Sequence, residues 1–168
     1  LAIALAAIFQ PSVWIVALVI AMVNWVQIAR VIYSETVALA ARDRHSMVYI
    51  EHCPSPLPMD SDLDIGTRLP LGTTAVGRAW LAACPVKERL QALDYLQAHA
   101  PEQWAAVQPL AAQWPQHQER PHPWLTTSFG DWLPHVNAIA LAFSPGRGLP
   151  LMAISCGGPG NRLKEVRI

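Results

Sequence analysis

The chain has 168 residues, 52% of them hydrophobic and only 14% charged, with a formal net charge of zero. Globular domains carry about 25% charged residues, so part of this chain is expected to face lipid or to be unusually buried. The balanced charge, with no stripe of Lys and Arg, argues against direct nucleic-acid binding through this chain. Cys53, Cys84 and Cys156 are widely spaced and odd in number, which argues for reduced thiols and against a disulfide frame or zinc knuckle. The chain starts at Leu1 and stops at Ile168 after a charged run, so both ends are expected to be cuts through a longer sequence.

Between residues 1 and 29 the residues that are not apolar are Gln10, Pro11, Ser12, Asn24 and Gln27, and no charge occurs. Pro11 divides this stretch, and residues 1–9 are too short to span a bilayer. Residues 12–33 have the length for one transmembrane helix, which needs about 20 mostly apolar residues. Trp14 and Trp25 lie near its ends, where interfacial aromatics are expected. A secretory signal peptide is disfavoured by the missing basic start. A buried core helix stays open, because Asn24 and Gln27 suit one. Arg30, Arg42 and Arg44 follow the span, so the positive-inside tendency places the C-terminal part in the cytoplasm. Residues 30–43 read as a membrane-proximal amphipathic helix or a plain connector.

Beyond residue 43 the pattern turns to a mixture of strands and helices. MVYIEHC (residues 47–53) is rich in strand formers. Met59, Ser61, Leu63 and Ile65 alternate with Asp60, Asp62 and Asp64, which predicts a half-buried strand with an acidic outer face. Residues 74–84 read as a helix opened by a Thr cap. Residues 86–98 form a second helix, with Pro85 in its first turn, and Pro101 opens a third. Residues 113–123 make a loop rich in Pro and Gln. Three strands follow, at residues 124–129, 137–143 and 149–156, the last two joined by a turn holding Pro145, Gly146 and Gly148. This order indicates an α+β fold, an antiparallel sheet with packed helices.

Several motifs imitate chemistry. Gly72-Thr-Thr-Ala-Val-Gly77-Arg78-Ala79 has P-loop spacing but lacks its Lys and Ser/Thr. What remains is a Gly/Thr turn feeding a helix start, whose free N–H groups and positive dipole end suit a small carboxylate or serve as ordinary capping. Asp60, Asp62 and Asp64 resemble an EF-hand opening, but Ile65 stands where Gly is needed and Leu71 where Glu is needed. Of the six histidines, His117 and His122 share a loop at no standard ligand spacing, so no metal site is expected. No GxSxG elbow is present, and Cys156 reads as a small hydrophobe closing a strand. The chain is therefore expected not to be an enzyme.

Four blocks resemble the effector-binding domain of IclR-type bacterial transcription regulators. They are ETVALAARDRHSMVYIE (residues 35–51), which resembles the family's opening strands, GTRLPLGTTAVGRAWLA (66–82), TSFGDW with VNAIA (127–132 and 136–140), and MAISCGGP (152–159). They follow the family's order over residues 34–168. The resemblance implies a GAF-like sheet with helices, no cofactor, and a homo-oligomer, dimer or tetramer. It also implies a pocket for a small organic acid or aromatic metabolite. In that pocket the amides of Ala75 and Val76 would hold the ligand, with Thr73 and Thr74 beside them. The acidic turn matches Asp131, the facing strand Asn137 and Ala140, and the last strand Ser155, Cys156 and Gly157. Some members place Cys or Ser where this chain has Ala140 and Gly157, which implies fewer side-chain bonds to a carboxylate here. The family's winged helix-turn-helix is expected before this domain and is missing, and its C-terminal helix is expected to be cut short.

The N-terminal piece is similar to something else. LAIALAA (residues 1–7), PSVW (11–14) and WVQIARVI (25–32) resemble inner-membrane permease subunits of dipeptide/oligopeptide ABC transporters, over residues 1–36. In those permeases a docking loop for the ATPase follows, and here His45-Ser-Met-Val-Tyr49 stands in its place. The join is expected at residues 34–36, as a gene fusion, rearrangement or assembly error. The resemblance implies an inner-membrane span without a transport path.

Overall fold

The computed structural model of the chain describes residues 36–53, 63–114, 125–146 and 148–160. The strands are β1 (Thr36–Asp43), β2 (Ser46–Cys53), β3 (Arg68–Pro70), β4 (Leu125–Phe129), β5 (Val136–Phe143) and β6 (Met152–Pro159). Three helices, α1 (Ala75–Ala83), α2 (Val86–His99) and α3 (Pro101–Ala111), come between β3 and β4. All six strands join one antiparallel sheet in the order β3-β2-β1-β6-β5-β4. Each half is a meander of sequence neighbours, and the long-range pairing of β1 with β6 joins the halves. The α+β class read from the element order is what folds.

Residues 36–43, whose local pattern reads as part of an amphipathic helix or a connector and which the family resemblance gives as an opening strand, form central strand β1. Alanine and leucine favour helix in isolation, but tertiary context overrides so weak a preference. Here β1 gains ladder partners on both edges, and Ala38 and Ala40 are buried under the helical layer. The expected strand at residues 59–65 also fails where it can be seen. Asp64 accepts from the Ile65 N–H (2.7 Å) and its carbonyl accepts from Thr67 N–H (3.0 Å), while Thr67 Oγ1 accepts from the Asp64 N–H (3.0 Å). Such local side-chain bonds compete with a ladder, and Gly66 at φ +89° completes the turn. The last strand starts at Met152 rather than Leu149. Leu149 N–H bonds Gly146 in a turn, and Pro150 has no N–H to give a central strand.

Helix α1 is buried along most of its length, between the sheet and the other helices. It can approach the sheet closely because the strands beneath present alanines: Ala40, Ala153 and Ala142 lie in one register row, and all three are buried. Gly77 is required where α1 crosses the chain leading into it, because a Cβ there would overlap the Leu71 backbone. Met47, Leu69, Leu71, Leu81, Leu96 and Val107 fill the core, each contributing about 1.5–3 kcal/mol by removal from water. Thr74 caps α1 as expected. Pro85 is the N-cap of α2 and not part of its first turn.

Among the described residues no helix is long and apolar enough to cross a membrane. The span expected at residues 12–33 and residues 34 and 35 of the expected join lie outside the described residues, as do His117 and His122, while Thr36 opens β1.

Candidate functional site

A cleft opens between the sheet and the start of α1. Its floor is one register row across four strands: Thr36 on β1, Gly157 on β6, Ala138 on β5 and Ser128 on β4. These small side chains leave a hollow where bulkier ones would fill it. Thr74, Ala75 and Val76 form the wall at α1, and Trp132, Leu133 and Val136 close the end at the β4–β5 loop.

The opposite wall depends on an irregularity. Ala38 pairs with His52, and Leu39 with Glu51, but Ala40 pairs with Tyr49. Ile50 is the extra residue of a β-bulge, and a bulge re-aims the side chains that follow it. Tyr49 and His52, three apart in sequence, therefore both line the cleft. In a regular strand they would face opposite sides.

Most hydroxyls around the cleft already have partners. Thr74 Oγ1 donates to Pro70 O (2.6 Å) and accepts from Gly77 N–H (3.2 Å). Ser128 Oγ donates to Thr73 O (2.7 Å), and Thr126 Oγ1 donates to Ala75 O (2.8 Å). These last two bonds fasten the start of α1 to β4. Tyr49 is bonded to Ser155, and burial raises its phenol above the ordinary value, the Ser155 bond partly offsetting this. The N–H groups of Ala75 and Val76, first in α1, have no acceptor within the helix by the geometry of any helix start. Both residues are 2% exposed. The site thus offers buried amides at the positive end of a helix, beside an apolar hollow.

Of the expected site residues, Thr74, Ala75, Val76, Ser155 and Gly157 come together in this cleft. The others stand elsewhere. Thr73 turns its carbonyl to Ser128. Asn137 and Cys156 alternate onto the far face of the sheet, and Asn137 Nδ2 donates to Gly160 O (3.4 Å). Ala140 is 2% exposed in the core. Asp131 pairs with Arg78, which sequence reading had not singled out. Arg78 is 5% exposed and donates from Nε to Gly72 O (2.9 Å) and from Nη1 to Thr127 O (2.8 Å) and Asp131 Oδ2 (2.7 Å). It thereby holds the turn before α1, strand β4 and the loop carrying Trp132 in one arrangement. Tyr49, His52 and Trp132 were also missed. The bulge hid the first two, and an aromatic in a loop carries no signal of where it points.

Cys84 is buried, and desolvation pushes its thiol up to about 12, against smaller lowering effects of Arg89 and Arg42. A protonated buried thiol is a poor nucleophile. Among the described residues no group of three or more His, Cys, Asp or Glu is placed to hold a metal ion.

Comparison with known proteins agrees with this geometry. The family described as bacterial transcriptional regulator IclR C-terminal matches residues 16–168, so the match begins inside the segment that resembles a permease. The HTH-type transcriptional regulator TsaQ1/TsaQ2 of Comamonas testosteroni is 41% identical over 71 residues, 41% of this chain and 26% of that protein. An IclR family transcriptional regulator from Brucella abortus superposes with a TM-score of 0.66 at 30% identity, over 83% of this chain and 51% of that one. The chain thus spans about half the length of that regulator and a smaller share of the first. The inducer-binding domain of PobR from Acinetobacter, a double mutant solved with 3-hydroxybenzoic acid, shares the fold with a TM-score of 0.55 at 16% identity. That match covers 78% of this chain and 77% of that domain.

Proposed function

The chain belongs to the IclR family through its C-terminal, effector-binding type of domain, and from that premise we propose that the cleft beside α1 binds a small organic acid or aromatic metabolite. The observation behind this is the pairing of two buried helix-start amides, Ala75 and Val76, with a floor of small residues, Gly157 and Ala138. A carboxylate satisfies such amides and meets the positive helix end. An apolar body lies on the floor beneath Trp132. The hydroxybenzoate held by the Acinetobacter domain supports this ligand class.

Binding acts on regulation by differential affinity. A ligand that prefers one state of the regulator shifts the population toward it, and one that binds both states equally shifts nothing. The cleft joins α1, β4 and the β4–β5 loop, so an occupant biases how these parts sit together. The assembly on which this acts is proposed to be a homodimer or homotetramer, which multi-angle light scattering of the purified chain tests directly. The function itself is tested by thermal melting against a panel of small acids in millimolar excess. Raised melting with at least one acid is expected. A folded sample that responds to none refutes the reading.

A second proposal rests on the uncharged apolar run at residues 12–33. It anchors the chain in the inner membrane, with the effector domain on the cytoplasmic side, as a fusion to a permease-like segment. Carbonate extraction decides: retention in the pellet supports the anchor, and release to the supernatant removes it.

A further inference from the structure

A second hollow lies beside β4, the strand that ends the sheet order, and it shares no lining residue with the cleft. Leu125 and Thr127 of β4 bound it on one side, and Leu110, Gln113 and Trp114 at the end of α3 on the other. Backbone bonds from Gln113 N–H to Leu110 O (3.0 Å) and from Trp114 N–H to Ala111 O (3.3 Å) hold those two residues in a turn beyond the helix. Trp114 is buried there. The cavity volume is about 160 Å³. A cavity of about 150 Å³ holds a benzene-sized molecule, so the body of an occupant is of that size.

Arg78 completes the lining, and it is not fully used. Its Nε donates to Gly72 O, and its Nη1 donates to Thr127 O and Asp131 Oδ2. The two N–H groups of Nη2 have no acceptor among the described residues. Nη2 is not sealed inside the protein either, so it is reachable where Arg78 meets the hollow. The Gln113 side-chain amide is exposed and makes no hydrogen bond among the described residues. It offers an acceptor and two donors. Thr126, by contrast, spends its hydroxyl on Ala75 O.

Charge selects the class of occupant. Arg78 is the cation of the described lining, and Asp131 Oδ2 at 2.7 Å already balances it. An anion on Nη2 would share one guanidinium with the Asp131 carboxylate and be repelled by it, beside apolar walls that screen poorly. An uncharged carbonyl satisfies Nη2 without that repulsion. In a primary amide the carbonyl accepts from Nη2, and the NH2 group donates to Gln113 Oε1. The apolar body then lies against Leu110, Trp114 and Leu125.

We propose that this hollow is a second ligand site, which takes a small uncharged primary amide with an apolar body, held by Arg78 Nη2 and the Gln113 side chain. It stands apart from the effector reading of the cleft and does not depend on it.

The test is NMR titration of the chain with benzamide and with benzoate, which match in size and differ in charge. Benzamide is expected to give saturable shifts of the Gln113, Trp114 and Thr127 amides and of the Arg78 Nε–H. Benzoate is expected to need at least about tenfold more ligand for the same shifts. Gln113→Leu, at an exposed position, weakens benzamide by about fivefold, the worth of one hydrogen bond. Arg78→Met abolishes the shifts, and where that variant does not fold, Gln113→Leu carries the test. The inference is overturned by a folded chain with no saturable shift at these signals, by benzoate binding there as tightly as benzamide, or by benzamide affinity unchanged in Gln113→Leu. Benzamide shifts confined to Ala75, Val76 and Gly157 overturn it as well, and they leave the effector reading of the cleft standing.

Discussion

Replacing Arg78 with Met removes a cation that holds three parts of the cleft together. Its side chain is 6% exposed, and it donates to two backbone carbonyls and to Asp131, whose own side chain is 41% exposed. Each carbonyl left without its donor costs about 1 kcal/mol. The carboxylate bond adds only about 1 kcal/mol more, because Asp131 rehydrates once released. Methionine keeps the apolar stem packed, so the expected loss is about 3 kcal/mol. Asp131→Asn removes the counter-charge but leaves Arg78 its carbonyls and an amide oxygen, and about 1 kcal/mol is expected. Urea denaturation measures both, read as midpoint shifts at unchanged slope. The reasoning is refuted if Asp131→Asn costs as much as Arg78→Met, because the pair, and not the backbone clasp, would then carry the energy.

Gly77→Ala forces a Cβ onto the Leu71 backbone, and about 3 kcal/mol of destabilisation is expected by chemical denaturation. In the native chain iodoacetamide at pH 8 is expected to alkylate the exposed Cys53 and spare the buried Cys84, as peptide mass mapping will show. The Cys84 thiol rises from 9.0 to about 12 on folding. Its contribution is therefore fully present below pH 9 and is lost as pH rises from 9 towards 12, where only the unfolded chain releases the proton. The slope is about 1.4 kcal/mol per pH unit in that window. Cys84→Ala is expected to flatten this stretch of the stability curve, and an unchanged curve would contradict the assignment.

Much of the α+β fold was readable because its signals are local. The Thr74 cap, Pro101 at a helix start and the β-rich runs each declare themselves within a few residues. What was hidden depends on partners far along the chain. Strand β1 is an alanine-rich segment whose local pattern reads as helix; the family resemblance alone marked it as a strand, and its neighbours β2 and β6 hold it extended. The acidic alternation at Asp60, Asp62 and Asp64 suggested a strand, but Asp64 uses its side chain to close a turn. In the cleft, the α1 wall was legible from the Gly/Thr turn, and Ser155 and Gly157 from the family resemblance. Tyr49 and His52 were not, because a one-residue bulge at Ile50 decides which way they face. Asp131 was marked as an acidic turn, yet its partner is a buried arginine 53 positions away.

In the proposed complex an acid sits on the Ala75 and Val76 amides above the floor formed by Gly157 and Ala138. Amide-resolved NMR titration with hydroxybenzoate tests it most directly. Saturable shifts of the Ala75, Val76 and Gly157 signals at one common affinity are expected. These shifts are expected to be lost in Gly157→Val, whose added Cβ meets Ala138 Cβ at an ordinary 3.5 Å and so fills the floor without breaking the sheet. Shifts confined to the separate hollow lined by Arg78, Trp114 and Leu125, or binding undiminished in Gly157→Val, would contradict it.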